Sequence, residues 1–152
     1  MLFPARTLDA IEQAVRRVEQ AHLGEIRFAI ETALTPVLVL KNVTPRAHAL
    51  EVFAHLRVWD TECNNGVLIY VELADHTVEI VADRGVASRV SQSEWDAVCR
   101  RMEDEFRAGH FEAGSIAGIE AVGALLASHF PKAAGARPGP ADNRLPDRPT
   151  LL

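Results

Sequence analysis

Apolar positions recur at two periods along this chain, and the points where the period changes divide it into elements. Leu8, Ile11, Val15, Val18 and His22 follow spacings of three and four. That stripe predicts an amphipathic helix, with Thr7 as its N-cap and Asp9 in its first turn. Gly24 is expected to stop it. Ile26, Phe28 and Ile30 then alternate with Arg27, Ala29 and Glu31, which predicts the first strand. Residues 33–43 are the least legible stretch. Val37-Leu38-Val39-Leu40 fits a short strand or an apolar loop, and Pro36 argues against a central place in a sheet. Thr44-Pro45 has the form of a helix start, with Ala49, Val52, Phe53 and Leu56 as the inner face of that helix.

The run Val67–Leu73 is almost wholly apolar, so it predicts a strand buried on both faces. Asn64-Asn65-Gly66 before it is turn chemistry, because Asn tolerates and Gly favours positive φ. Val78–Ala82 alternates again, and the polar turn Ala74-Asp75-His76-Thr77 joins the two runs into an antiparallel hairpin. Ser91 or Ser93 caps the next helix, and Ser91-x-x-Glu94 matches a capping box. Trp95, Val98, Cys99, Met102 and Phe106 give the clearest helical stripe, ended by Gly109. Phe111, Ile116, Ile119, Val122, Leu126 and Phe130 mark a last helix, stopped by Pro131. The order α-β-α-β-β-α-α predicts an α/β fold, a mixed sheet flanked by helices. A right-handed crossover makes the first two strands parallel. From Lys132 the chain is rich in Pro, Gly, Ala and charge. Residues 1–131 are therefore expected to form the domain and 132–152 a disordered tail.

Composition narrows the function classes. At 152 residues, one domain is expected, and 48% hydrophobic against 24% charged residues excludes global disorder. The formal net charge is −5, with the acidity in residues 1–131, which argues against a nucleic-acid partner. Two cysteines, Cys63 and Cys99, make no disulfide framework, so both are expected reduced and the setting cytoplasmic. Met1-Leu2-Phe3-Pro4 leads into a charged helix without the apolar core of a signal peptide. Ala113–Phe130 is the most apolar stretch, but Glu120, His129 and its periodicity predict a core helix, with no membrane span.

Candidate chemistry collects at one end of the hairpin. A hairpin sets the start of its first strand beside the end of its second, so Asp60–Gly66 and Asp83–Gly85 should meet at one sheet edge. Glu25, at the start of the first strand, should lie toward the same edge. Asp60, Thr61, Asn65 and Asp83 offer the oxygens a hard cation takes, with Glu25 and Glu62 in reserve. The competing reading is that Asp60 and Asn64 cap turns and Asp83 pairs with Arg84 in solvent. Arg84 is also a candidate bidentate phosphate donor. No EF-hand, P-loop or Cys-x5-Arg pattern is present. No basic helix end is identifiable beside Cys63, which argues against a nucleophilic role. His48 and His55 share a helix face near Glu51, but nothing completes a zinc set, so they read as solvated surface histidines.

These motifs, taken in order, resemble the TPM domain family, which includes plant thylakoid-lumen phosphatase-like proteins and nematode receptor modulators. The matching stretches are Gly24-Glu25-Ile26-Arg27, Asn64–Ile69, Val78–Gly85, Trp95, Met102, Phe106–Phe111, Gly114 and Gly118-Ile119, spanning residues 6–131. The resemblance implies an α/β/α sandwich and an acidic sheet edge that binds calcium in some members. It also implies acid phosphatase activity, as in plant members. Many members carry a signal peptide and a membrane anchor, neither of which is recognised here. Many have Gly-x-Gly after the third strand, where this chain has Asp83-Arg84-Gly85, adding a carboxylate and a guanidinium to the edge. Two functions stay open on this reading. One is a binding module that holds calcium and a protein partner. The other is a metal-assisted phosphomonoesterase at the same edge.

Overall fold

The computed structural model describes residues 2–32, 43–61, 63–131 and 145–152. Val37–Leu40, Glu62 and the start of the tail at Lys132 lie outside the described residues. The elements are α1 (Ala5–Glu19), β1 (Glu25–Glu31), α2 (Pro45–His55), β2 (Gly66–Glu72) and β3 (Thr77–Ala82). They continue with α3 (Arg84–Ala87), α4 (Gln92–Arg107), α5 (Phe111–His129) and β4 (Thr150–Leu151).

The strands form one mixed sheet in the order β3-β2-β1-β4. β1 and β2 are parallel, in register from Glu25↔Gly66 to Glu31↔Glu72. β2 and β3 form the expected antiparallel hairpin, from Val67↔Ala82 to Glu72↔Thr77. All seven residues of β1 and all seven of β2 are buried. Two such strands need cover on both faces, and the alternation of side chains supplies two cores. Ile26, Phe28, Ile30, Val67, Ile69 and Val71 face the large core shared with α1, α4 and α5. Ala29, Leu68, Tyr70 and Val81 face the smaller one, with Ala49 and Val52 of α2. The α/β/α layering expected from the sequence is present.

Local chemistry explains most element boundaries. The Thr44 hydroxyl accepts the Ala47 N–H at 3.1 Å and Pro45 opens α2. Ser91 and Glu94 close a capping box on α4, with the Ser91 N–H 2.8 Å from Glu94 Oε2. Gly109 takes φ +85° just past α4, the left-handed conformation that favours glycine there. Trp95, Val98, Cys99, Met102 and Phe106 are all buried, as their stripe predicts. α5 is long and apolar enough to cross a membrane by length and composition. Here it packs on α4 and α1, and its glycines let the helices approach: a Cβ on Gly118 would run into the Met102 side chain.

Three expectations need correction. Thr7 is not the cap of α1, because the helix begins two residues earlier at Ala5 behind Pro4; Thr7 is buried and donates to Glu112 Oε1 at 3.0 Å. The short helix α3 follows β3 directly, with Asp83 as its N-cap. Residues 145–152 are not a loose tail. Leu145 and Asp147 are buried, and β4 pairs in parallel with β1 at Ala29↔Thr150 and Ile30↔Leu151. The reason is Arg27. Its guanidinium, nearly buried on the α2 face of the sheet, donates to the Pro146 and Arg148 carbonyls and to the Thr150 hydroxyl. A buried cation needs several acceptors, and a Pro-rich segment with free carbonyls provides them.

Two substitutions test this packing. Trp95→Ala should cost about 3–5 kcal/mol in denaturant unfolding, as for other buried aromatics; a loss under about 1 kcal/mol would show that the ring is not a core anchor. Gly66→Ala should cost about 1–3 kcal/mol, because a Cβ there would run into the Val58 carbonyl oxygen. An unchanged midpoint for Gly66→Ala would show that the bend between α2 and β2 is not held as described.

Candidate functional site

The hairpin edge is stitched by backbone hydrogen bonds. The Asp83 N–H donates to the Gly66 carbonyl at 2.9 Å, and the Gly85 N–H to the Asn64 carbonyl at 3.0 Å. The Glu25 N–H donates to the Asn65 carbonyl at 3.1 Å, tying the same loop to β1. The loop can turn this tightly because Asn64 takes φ 52°, which Asn tolerates better than most residues. Gly85 is required for a second reason: a Cβ there would meet the Cys63 and Asn64 carbonyl oxygens. The ends of β1, β2 and β3 therefore converge where the sequence expected.

The side chains divide into two groups. Asn65 is drawn inward, its N–H 3.0 Å from the Thr61 hydroxyl and its side-chain amide donating to the Leu23 carbonyl. Asp83 uses Oδ1 to accept the Arg84 N–H at 2.8 Å, so it caps α3 and is not simply a surface partner of the Arg84 guanidinium. That leaves two buried oxygens of this edge, Asn65 Oδ1 and Asp83 Oδ2, without a hydrogen-bond partner among the described residues. Asp60 goes the other way. It pairs with Arg57 at 3.1 Å on an open surface, and Arg57 lies 5.3 Å over the Trp59 ring. Asp60 is thus held outward by a neighbour that the sequence argument did not consider. Glu25 is buried and accepts the Leu145 N–H at 3.0 Å, so the C-terminal segment uses one oxygen of this reserve ligand. Glu62 lies outside the described residues. The Arg84 side chain is exposed, as is Cys63. Cys99 is buried, and burial pushes its thiol up to about 12, the behaviour of an inert core residue.

A second polar group lies at the opposite end of the sheet, and the sequence argument missed it. Glu31 and Glu72 are register partners at the last positions of β1 and β2, both buried. His48 Nε2 stands 3.1 Å from Glu31 Oε2, and its ring meets the Tyr70 ring edge-on at 5.5 Å. His48 is therefore no solvated surface histidine: its side chain is only 15% exposed. Desolvation pushes the Glu72 carboxyl up, and Asp75 adds to the shift. Burial pushes the Tyr70 phenol up as well, reinforced by Glu72 and Glu31. The signal available in sequence was the pair of acidic residues closing two apolar strands. Pairing His48 with Glu31 needed the tertiary fold. Among the described residues, no three His, Cys, Asp or Glu side chains are grouped so as to hold a metal ion by themselves. Any cation at the hairpin edge would thus rely on amide and backbone oxygens as well as Asp83.

Comparison with known proteins places this geometry. The BA42 protein of the psychrophilic bacterium Bizionia argentinensis, solved by NMR, superposes with a TM-score of 0.83 at 30% identity; the match covers 100% of this chain and 97% of that one. The N-terminal domain of a protein from P. gingivalis superposes with a TM-score of 0.68 at 18% identity, covering 85% of this chain and 79% of that one. The N-terminal domain of the cg2496 protein from Corynebacterium glutamicum gives 0.60 at 12%, covering 88% and 80%. At those lower identities the likeness is one of fold. No curated protein sequence matches the chain. The model of the TPM domain matches residues 2–125, which covers the sheet through β3, both faces of helices and the whole hairpin edge, and so this chain belongs to the TPM domain family.

Proposed function

We propose that the hairpin edge binds a calcium ion and that the domain works as a binding module. What supports this reading is one observation: two buried oxygens, Asn65 Oδ1 and Asp83 Oδ2, have no hydrogen-bond partner among the described residues at an edge where three strand ends converge. An oxygen removed from water without a replacement partner costs about 1–3 kcal/mol. A hard cation removes that cost at both atoms together. Calcium accepts this donor set, because it takes carboxylate, amide and backbone carbonyl oxygens in flexible geometry. Asp83 and Asn65 are the first ligands. Thr61, with the Cys63 and Asn64 carbonyls beside Gly85, lies in the same loop. Asp60 moves to the outer rim because Arg57 holds it. With a single first-rank carboxylate the site belongs to the weak class of calcium sites, about 10⁻⁴–10⁻³ M. A phosphomonoesterase at this edge would add Arg84 as the phosphate-binding donor, and the assay below separates the two.

Calcium at about a hundred times its dissociation constant should stabilise the fold by about 2.7 kcal/mol. For a domain of this size that is a rise of about 5–10 °C in Tm over the value in EDTA. Asp83→Asn should abolish the rise while leaving the EDTA melting point nearly unchanged, since Asn caps a helix as well as Asp. Asp60→Asn should keep the rise. No rise in wild type, or a full rise in Asp83→Asn, would contradict the site. Metal-dependent hydrolysis of a generic phosphomonoester that is lost in Arg84→Ala would replace the binding-module reading with the enzyme.

A further inference from the structure

The hairpin edge is bordered by exposed side chains that the calcium reading does not use. Leu23 lies on one side: its carbonyl accepts the Asn65 side-chain amide, and its N–H donates to the Phe130 carbonyl at 2.9 Å. Trp59 lies on another: its carbonyl accepts the Thr61 N–H at 2.9 Å, and the Thr61 hydroxyl accepts the Asn65 N–H. Two of the five large apolar side chains exposed among the described residues thus flank one loop, Leu23 at 48% and Trp59 at 46%. Scattered apolar side chains are ordinary on a protein surface, but Trp59 is held in its place. Its indole N–H donates to the Ala54 carbonyl at 3.3 Å, and the Arg57 guanidinium lies 5.3 Å over its ring. Arg57 takes φ 56° in that turn, a conformation uncommon outside glycine. Guanidiniums recur around the rim. Arg89 lies 5.0 Å over the half-buried Phe130 ring and donates to the His129 carbonyl at 3.3 Å. Arg84 is exposed one residue before Gly85, whose N–H meets the Asn64 carbonyl. Arg57 is paired with Asp60, whereas Arg84 and Arg89 pair with no carboxylate among the described residues.

We propose that this edge docks on an anionic lipid surface, with calcium bridging Asp83 and Asn65 to lipid phosphate. The proposal rests on the calcium reading above and names the partner of that site. Calcium takes about six to eight oxygens. Asp83, Asn65, Thr61 and the Cys63 and Asn64 carbonyls supply fewer, so the ion keeps positions for oxygens from outside the protein. Phosphate oxygens suit them, being hard and anionic. Free phosphate offers the same oxygens, but only a lipid surface also gives Trp59 and Leu23 an apolar phase to enter. At the headgroup boundary a tryptophan ring finds water on one side and hydrocarbon on the other, while arginines pair with phosphate. The metal also settles the charge. Arg57, Arg84 and Arg89 share this rim with Asp60 and Asp83, on a chain of net charge −5. Attraction to an anionic surface is therefore slight without calcium, and the ion adds two positive charges where contact is made.

The test is co-sedimentation of the full chain with phosphatidylcholine vesicles, with and without phosphatidylglycerol, in millimolar calcium and in EDTA. Tryptophan emission is read on the same samples; Trp95 is buried, so a blue shift on binding reports Trp59. Binding with a blue shift is expected on phosphatidylglycerol in calcium, about thirtyfold stronger than in EDTA for two added charges. Phosphatidylcholine alone should bind nothing. Trp59→Ala should weaken partitioning about tenfold or more, and Arg84→Gln and Arg89→Gln about fivefold each, with the calcium-dependent rise in Tm intact in Trp59→Ala and Arg89→Gln. A Tm rise in calcium without vesicle binding overturns the docking and leaves the calcium site standing, while a missing rise overturns both. Vesicle binding that is equal in EDTA, or undiminished in Trp59→Ala, also overturns the proposal. So does the same blue shift with inorganic phosphate alone, or a Trp59-dependent dimer in sedimentation without vesicle binding, which would assign the face to a protein contact.

Discussion

The constraint on which the rest of the structure depends is that β1 and β2 are buried on both faces. Fourteen residues in parallel register, from Glu25↔Gly66 to Glu31↔Glu72, leave no solvent-facing side for polar side chains. Cover on both faces then becomes obligatory. α1, α4 and α5 supply it on one side, while α2 and Leu145 supply it on the other. The acidic side chains that remain are pushed to the two ends of the ribbon. Glu25 lies at one end, Glu31 and Glu72 at the other, and each must find a partner there.

The two ends solve that problem differently. At the Glu31–Glu72 end the answer is His48, brought down from α2 onto Glu31, with the Glu72 carboxyl driven toward its neutral form by desolvation. At the Glu25 end the partners are backbone N–H groups and the C-terminal segment. The stitched loop at that end closes on itself and leaves Asn65 Oδ1 and Asp83 Oδ2 without donors among the described residues. The His48 end also keeps partnerless buried oxygens among the described residues, Glu72 Oε2 and Tyr70 Oη, so the hairpin edge differs in donor type alone. One end has an imidazole in place, and the other has uncharged oxygens around a single capping carboxylate.

How much of this was legible follows from how local each cause is. The α4 stripe, the Ser91–Glu94 capping box, the Thr44-Pro45 start and the hairpin all rest on neighbours within a few residues, and each appears where the pattern put it. The meeting of Glu25, Gly66 and Asp83 followed from topology, since parallel β1–β2 and an antiparallel hairpin leave those three positions no other place. The failures at the tail and at His48 are long-range. Pro, Gly and charge after Lys132 read as a loose tail, because nothing near them shows that Arg27, 119 residues before Pro146, needs their carbonyls. The Asp60 pairing is local by contrast, since Arg57 stands only three residues before it. His48 read as exposed because its partner Glu31 sits on the far side of an illegible segment.

The central claim is that the hairpin edge takes a calcium ion on Asp83 and Asn65. Its most direct test is a calcium titration of isotope-labelled protein followed by NMR at the Asn65 side-chain amide and at the backbone amides of residues 61–66 and 83–85. The account predicts saturable shifts concentrated there, with the Asn65 amide among the largest. Shifts that centre instead on Glu31, Glu72 and His48, or that stay absent at millimolar calcium, would contradict it.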